Sequence, residues 1–426
     1  MVTIGRMSED AAKLLQKLIQ IPSVNPMGHD VAGPTVGESR LTNFLQQLAD
    51  DLGLPWIRQT VHPGRDNLLV RLGGNPPVEQ GGELLLWDVH QDTVPTEGMT
   101  VDPFGGEIKE GRLYGRGACD VKGSMAAMVS AIARAAAEKS RRAGSPTIII
   151  AFTVNEECGF TGVEACCDLI SPERRSAAPP IVGGTLTAEE MFPRLPDAAI
   201  VAEPTEFDVV VAHQGVVRWR CHTIGRAAHT SRPDAGINAI YGMTHLVQAI
   251  ERHHVDLQAA GPLHPLCGRP TACVSTIHGG VAVNTVPERV SIEIDRRVGP
   301  NESPAAVYED VLRLLTTAAV PPGCKIVNDV PSMQSRGLSD QNNGTLAKGL
   351  SSLAQSYGRR GDVVGVPYAT DAAAIAALGI PTVVFGPGSI AQAHTADEYI
   401  DVAELELGAK MFEQIAKEGL KPILAI

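Results

Sequence analysis

Two stretches of almost unbroken apolar residues, Glu83–Val89 and Thr147–Val154, constrain this chain more than any other feature. A strand that is apolar on both faces must be buried on both, which points to the middle of a sheet covered by helices. Between the two lies Ser124–Lys139, alanine-rich and helical in pattern, so parallel strands joined by a helical crossover are expected. The same alternation runs upstream. Ser8–Ile21 carries Ala11, Leu14, Leu15, Leu18 and Ile19 at helical spacing, with Ser8 as its cap. Gly37–Leu52 reads as a second helix and Asn67–Arg71 as a strand.

The pattern changes after residue 205. Val209–Val211, Val216–Ile224, Ala272–His278 and Val290–Asp295 read as strands, with helical patterns at Ile237–Ile250 and Pro304–Ala318 between them. Around residue 340 the alanine-rich helical character returns, and Pro381–Phe385 reads as another core strand. The fold class expected is therefore α/β. It comprises a mostly parallel sheet with helices on both faces, built from residues 1–208 and 325–426, around an inserted α+β module of 209–324.

At 426 residues the chain is long enough for two or three cores. Its 36 basic and 48 acidic residues give a net charge of −12, which argues against nucleic acid or an anionic membrane as the main partner. The longest apolar runs fall far short of the ~18–20 residues that span a bilayer. Ser8, Glu9 and Asp10 lead into an amphipathic segment without a basic-then-apolar signal. Eight cysteines are scattered without a Cys-x-x-Cys pair, which suits reduced thiols and a cytoplasmic location; the adjacent Cys166 and Cys167 receive no role.

Five short segments carry the chemistry, mostly just beyond predicted strands, where ligands bind in open α/β sheets. Asp88-Val89-His90-Gln91-Asp92 ends the first buried strand. In extended chain His90 and Asp92 face the same side, so Asp92 is placed to accept the other ring N–H of a metal-bound His90, or the two form a plain hydrogen-bonded pair. Tyr114–Ser124 is glycine-rich, yet its Lys-Gly-Ser order and missing glycine exclude a phosphate loop; Asp120 there is a helix cap or a metal-bridging carboxylate. Asn155-Glu156-Glu157 follows the second buried strand, and two adjacent carboxylates there need solvent or a cation. Glu203 follows the apolar run Ala198–Ala202, and His394 lies in Gln392–Glu398. Together these two histidines and several carboxylates are the donor set of a zinc site.

Their order and surroundings resemble the co-catalytic metallopeptidase family of acetylornithine deacetylase, succinyl-diaminopimelate desuccinylase, aminoacylase and glutamate carboxypeptidase. The resemblance runs from Ile21-Pro22-Ser23-Val24-Asn25-Pro26 to the His394 region. It implies two divalent ions, zinc by preference with cobalt or manganese as alternatives. His90 and Glu203 would bind one ion, Glu157 and His394 the other, and Asp120 both. Glu156 would be the general base, moving a proton from water to the leaving nitrogen. Asp92 would support the catalytic set, and the Asp120–Val121 peptide bond would be cis. In the insert, Gly225–Ile240 resembles the family's dimerisation segment, whose His229 would serve the partner subunit's site as an oxyanion donor. Asn284 and Arg297 match positions that hold the substrate's carboxylate end, with Arg296 a competitor for that role, and Gly388 lies in a loop that would approach the substrate.

Among the other histidines, His253, His254 and His264 are expected to be solvated and His213, His222 and His278 to be packed within the insert. The activity implied is hydrolysis of N-acylated amino acids by a homodimer paired through its lid domains. A dipeptidase or carboxypeptidase on the same scaffold is the alternative, and a non-catalytic binding protein the alternative of another class. The partner expected is a small N-acyl amino acid or short peptide, with no nucleic acid and no membrane.

Overall fold

In a computed structural model describing residues 10–29, 31–138 and 141–420, Leu84–His90 and Thr147–Thr153 are buried along their whole length. They lie side by side in parallel register, Leu84 opposite Thr147 and His90 opposite Thr153. Ala198–Val201 runs parallel on the other side of Leu84–His90, and Thr382–Val384 adds a fourth parallel strand beyond it. These four form the middle of a nine-stranded sheet.

The expectation of a mostly parallel sheet holds for those four strands and fails on the flanks. Arg65–Leu72 pairs antiparallel with Thr147–Thr153, Trp56–His62 with Arg65–Leu72, and Ile181–Gly184 with Trp56–His62. On the far side Val209–His213 pairs antiparallel with Thr382–Val384, so the sheet is mixed. The cause is local at Trp56–His62 and Arg65–Leu72: a tight turn with Gly64 at φ 72° reverses the chain, whereas a parallel pair needs a long crossover.

Helices cover both faces. Phe152 lines one small apolar cavity with Leu45 and Leu48 of helix Ser39–Asp51 and Val129 and Ile132 of helix Lys122–Ala136. Thr153, one residue on, points to the other face and donates its hydroxyl to Asp371 (3.0 Å), which precedes helix Ala372–Ala376. The first described helix is Ala11–Ile19, capped by Asp10 accepting from the Lys13 N–H. Ser8 and Lys139, expected at helix ends, lie outside the described residues. Strand Trp56–His62 and helices Thr161–Ile170 and Val402–Glu418 were absent from the sequence expectation.

The chain divides into two compact units, residues 1–211, 340–364 and 370–426 in one and 212–339 and 365–369 in the other. The boundaries differ from those expected for a reason visible in the pairing. Val209–Val211 belongs to the main sheet, while Lys325–Asn328 and Met333–Ser335 pair with Gly215–Ile224 in the second unit. That unit's sheet is antiparallel, with Ala272–Gly279, Arg289–Val298, Gly215–Ile224 and Lys325–Asn328 in order. Along Arg289–Val298 buried and accessible residues alternate, as in a sheet with one covered face. Helices Ala239–Ala260 and Pro304–Thr316 supply Met243, Leu246, Val307 and Val311 to its core.

Candidate metal centre

The connection from Leu84–His90 runs to Thr147–Thr153 on one side, whereas the adjacent Ala198–Val201 continues to Val209–His213 on the other, so the chain leaves these two neighbouring strands in opposite directions. A crevice opens at the carboxyl ends of strands at such a switch point. His90 ends the first strand, Glu156 and Glu157 follow the second, and Glu203 follows the third. All are buried or nearly so, with Asp120, delivered by the loop before helix Lys122–Ala136.

Asp120 is the centre of the cluster. Its Oδ1 lies 3.1 Å from His90 Nε2, and its Oδ2 lies 3.3 Å from His394 Nε2. Glu203 approaches His90 Nε2 at 3.8 Å, and Glu157 approaches His394 Nε2 at 3.2 Å. Asp120 caps nothing: Val121 occupies the cap position, with no side-chain hydrogen bond, and the Asp120–Val121 bond is cis. Among the described residues, His90, Asp120 and Glu157 form a group whose potential ligand atoms all lie within 4.8 Å of one another.

These spacings fit a shared cation. Donors bound to one zinc ion at ~2.0–2.1 Å in a tetrahedron sit about 3.3 Å apart, close to the separations between these donors. The histidine tautomer also fits. His90 Nδ1 sits 2.9 Å from the Asp92 backbone carbonyl, which only accepts, so Nδ1 is the donor there and Nε2, facing Asp120 at 3.1 Å, is the nitrogen left to bind a cation.

Charge gives the third argument. Burial, then the neighbouring carboxylates, drives Glu156 and Glu203 well above the ordinary carboxylate range despite His90 nearby. Burial and the Asp120 charge push Glu157 up to about 7. Asp120 itself is held below its usual value because its bonds to His394 and His90 outweigh burial. His394 rises to about 10 through its contacts with Asp120 and Glu157. So many carboxylates crowded out of water hold protons unless a cation takes their place.

Asp92 behaves differently from its expected role. The strand ends at His90, so residues 90 and 92 are no longer two steps apart in extended chain, and the Asp92 carboxylate stands 3.8 Å from His90 Nδ1. It accepts instead from the backbone N–H groups of Glu156 and Glu157, each at 3.1 Å, and from Asn25 at 2.7 Å. Asp92 thus holds the turn that presents both glutamates.

Behind that turn lies a network with no counterpart in the sequence expectation. Arg65 forks onto the buried Glu38 at 2.7 and 2.6 Å and reaches Asn155 at 3.1 Å, and Asn155 also accepts from Asn25. Asn155 stands in the left-handed region at φ 65°, which turns the chain so that Glu156 follows the strand directly. Asp371 is a further omission: it is buried, accepts from Thr153, and is pushed up to about 7 by burial. It lies in an alanine-rich stretch with no motif around it.

Gly388 has a φ of 94°, and a Cβ there would lie 2.8 Å from Cys119 Sγ. The glycine is accounted for by its own chain, without a substrate.

In the second unit, Ala228–His229 pairs with Thr285–Val286, and Thr230 N–H bonds the Asn284 carbonyl at 3.1 Å, so His229 and Asn284 are neighbours. Both side chains are exposed, and His229 Nδ1 meets the Ser231 hydroxyl at 2.8 Å. Arg296 follows the buried parity of Val290, Ile292 and Ile294 and pairs with Glu302 at 3.0 Å. Arg297 faces the other way, 3.0 Å from Asp295, beside a cavity of about 440 Å³ lined by Gln214, Cys267, Arg269, Thr271 and Tyr368. His213 and His222 are packed, as expected. His278 is exposed on an outer strand instead, while His253, His254 and His264 are half-buried and not simply solvated.

Comparison with known proteins places this geometry in a family. Residues 86–418 match peptidase family M20/M25/M40, and the chain belongs to it. It is therefore a hydrolase of amide C–N bonds. The acetylornithine deacetylase of Photorhabdus laumondii subsp. laumondii is 30% identical over 95% of each chain. A probable succinyl-diaminopimelate desuccinylase of Staphylococcus aureus (strain Mu50) is 24% identical over 96% of this chain and 98% of its own. Among solved structures, a tripeptidase from Staphylococcus aureus superposes with a TM-score of 0.70 at 21% identity, covering 98% of this chain and 99% of the other. No helix among the described residues is long and apolar enough to cross a membrane.

Proposed function

We propose that this enzyme hydrolyses the amide bond of N-acylated amino acids, of the acetylornithine or succinyl-diaminopimelate kind, with two divalent ions. The observation that carries the reading is Asp120, whose two oxygens reach the Nε2 atoms of both His90 and His394. His90 and Glu203 would hold one ion and Glu157 and His394 the other, with Asp120 shared; the mixed nitrogen and oxygen donors favour zinc. When bound, the ions supply Lewis acidity, which acidifies water and polarises the amide carbonyl.

The chain's own residues do the rest. Glu156, left over once Glu157 ligates, takes a proton from the attacking water and passes it to the leaving nitrogen as the C–N bond breaks. Asp92 keeps Glu156 in place through the backbone. Arg297 and Asn284 would hold the substrate carboxylate, and Gly388 would belong to a loop that approaches the substrate. His229 would donate to the developing oxyanion of a partner subunit in a homodimer paired through its second units. A cytoplasmic setting belongs to the same proposal.

The test is a panel of N-acetyl amino acids, N-succinyl amino acids and dipeptides, assayed with zinc-reconstituted protein whose metal content is measured in parallel. Two ions per chain and preference for an N-acyl amino acid are expected. Preference for dipeptides would replace the substrate assignment, and activity that survives exhaustive chelation would overturn the metal assignment.

A further inference from the structure

The glycine-rich segment that looks superficially like a phosphate loop does bind an anion, and the chain supplies it. Glu398 is fully buried. Its Oε1 accepts from the backbone N–H groups of Cys119 at 2.9 Å and Asp120 at 3.0 Å. Its Oε2 accepts from the Gly117 N–H at 3.1 Å and the Arg116 guanidinium at 2.6 Å. Successive backbone N–H groups converging on one point form a concave anion site, and hydrogen bonds to a charged acceptor are the strong ones. The surrounding backbone repeats the attachment. Gly115 N–H bonds the Glu398 carbonyl at 3.0 Å, Arg116 reaches the Thr395 carbonyl at 3.4 Å, and Tyr399–Asp401 pairs with Arg112–Tyr114.

Glu398 also stands four residues after His394, on the same segment. One carboxylate therefore fastens the backbone of Asp120 to the chain that carries His394. We propose that Glu398 is a positioning residue of the metal centre, setting the spacing between Asp120 and His394. It touches neither substrate nor cation; it acts on the cation shared by Asp120, Glu157 and His394 through the backbone of the first and the segment of the last. The cation shared by Asp120, His90 and Glu203 feels it through Asp120 alone. This inference rests on the metal-centre reading above.

The experiment is metal titration against a competing chelator for wild type, Glu398→Gln and a His394→Ala reference, with melting of each metal-free protein. Glutamine keeps the shape but presents an NH2 donor to a pocket made of donors. Partners beyond the direct ligands are typically worth about 10–100-fold in metal affinity. Glu398→Gln is expected to weaken one ion by about that factor and the other far less, with the weakened ion the one that His394→Ala also loses. A residue that merely supports the fold would lower the metal-free melting temperature and leave the ratio of the two affinities unchanged, and that result overturns the assignment. Should Glu398→Gln not fold, Glu398→Asp keeps the charge beside Arg116, withdraws the carboxylate by one methylene, and must show the same split. Two ions in wild type with no split in either variant removes the role of Glu398 only; no ions in wild type removes the metal centre, and this role with it.

Discussion

The two units hold their ionisable groups in opposite ways. In the first, Asp120, Glu156, Glu157 and Glu203 crowd together at the ends of buried strands and are held by Asp92, Glu398 and the Arg65–Glu38 pair. In the second, His229 and Asn284 stand exposed on a short two-stranded ribbon, while the one fully buried histidine, His213, lies against the Gln214 carbonyl at 3.0 Å. Crowded carboxylates, three of them with raised proton affinity around an ionised Asp120, suit a cation site built within one chain. An exposed histidine on a ribbon has no such internal purpose, and its reading depends on what meets it.

The sharpest way to test the contrast is at the base. Glu156→Gln should keep both ions by metal analysis and lose about 10²–10⁴-fold in kcat. Loss of metal instead would make Glu156 a ligand and dissolve its distinction from Glu157. Next in size is His229→Ala, expected to cost about 10²–10³-fold in kcat, the worth of one oxyanion donor. Mixing Glu156→Gln with His229→Ala subunits should then restore part of the activity, since one site of each heterodimer has both groups intact. Proven heterodimers without recovery would confine His229 to its own chain or to no role.

The smallest effect concerns stability. Burial lowers His213 to about 4 in the folded chain, against an ordinary value of 6.5. Between those values the unfolded chain binds the proton and the folded chain does not, so stability present above pH 6.5 is lost as pH falls toward about 4. Urea melts of wild type across that range should show the loss, and His213→Gln should flatten it. An unchanged slope would mean that other groups govern the acid limb.

The parallel middle of the sheet was legible because strands buried on both faces must be apolar throughout, as Leu84–Val89 and Thr147–Thr153 are. The antiparallel flank was less so: Trp56–His62 mixes Arg58, Gln59 and His62 among its apolar residues, and Gln59 is buried through its bond to the Ala165 carbonyl. The candidate ligand positions were readable because several lie at or just beyond the ends of buried strands, but Asp371 and Glu398 are placed by tertiary contact with segments hundreds of residues earlier in the chain. The choice between Arg296 and Arg297 is present in the sequence itself. Val290, Ile292 and Ile294 fix the buried parity, and Arg296 falls on it.

Thr382–Val384 sits between Ala198–Val201 and Val209–His213 in the main sheet. A ribosome therefore releases Ala198–Val201 long before the strand that covers its edge exists. Until then that wholly apolar strand offers unpaired backbone groups to any neighbouring nascent chain, the condition under which edges aggregate. Chains that stop short of residue 384 should accumulate as insoluble material, and chaperone demand during synthesis should peak while the second unit is being made.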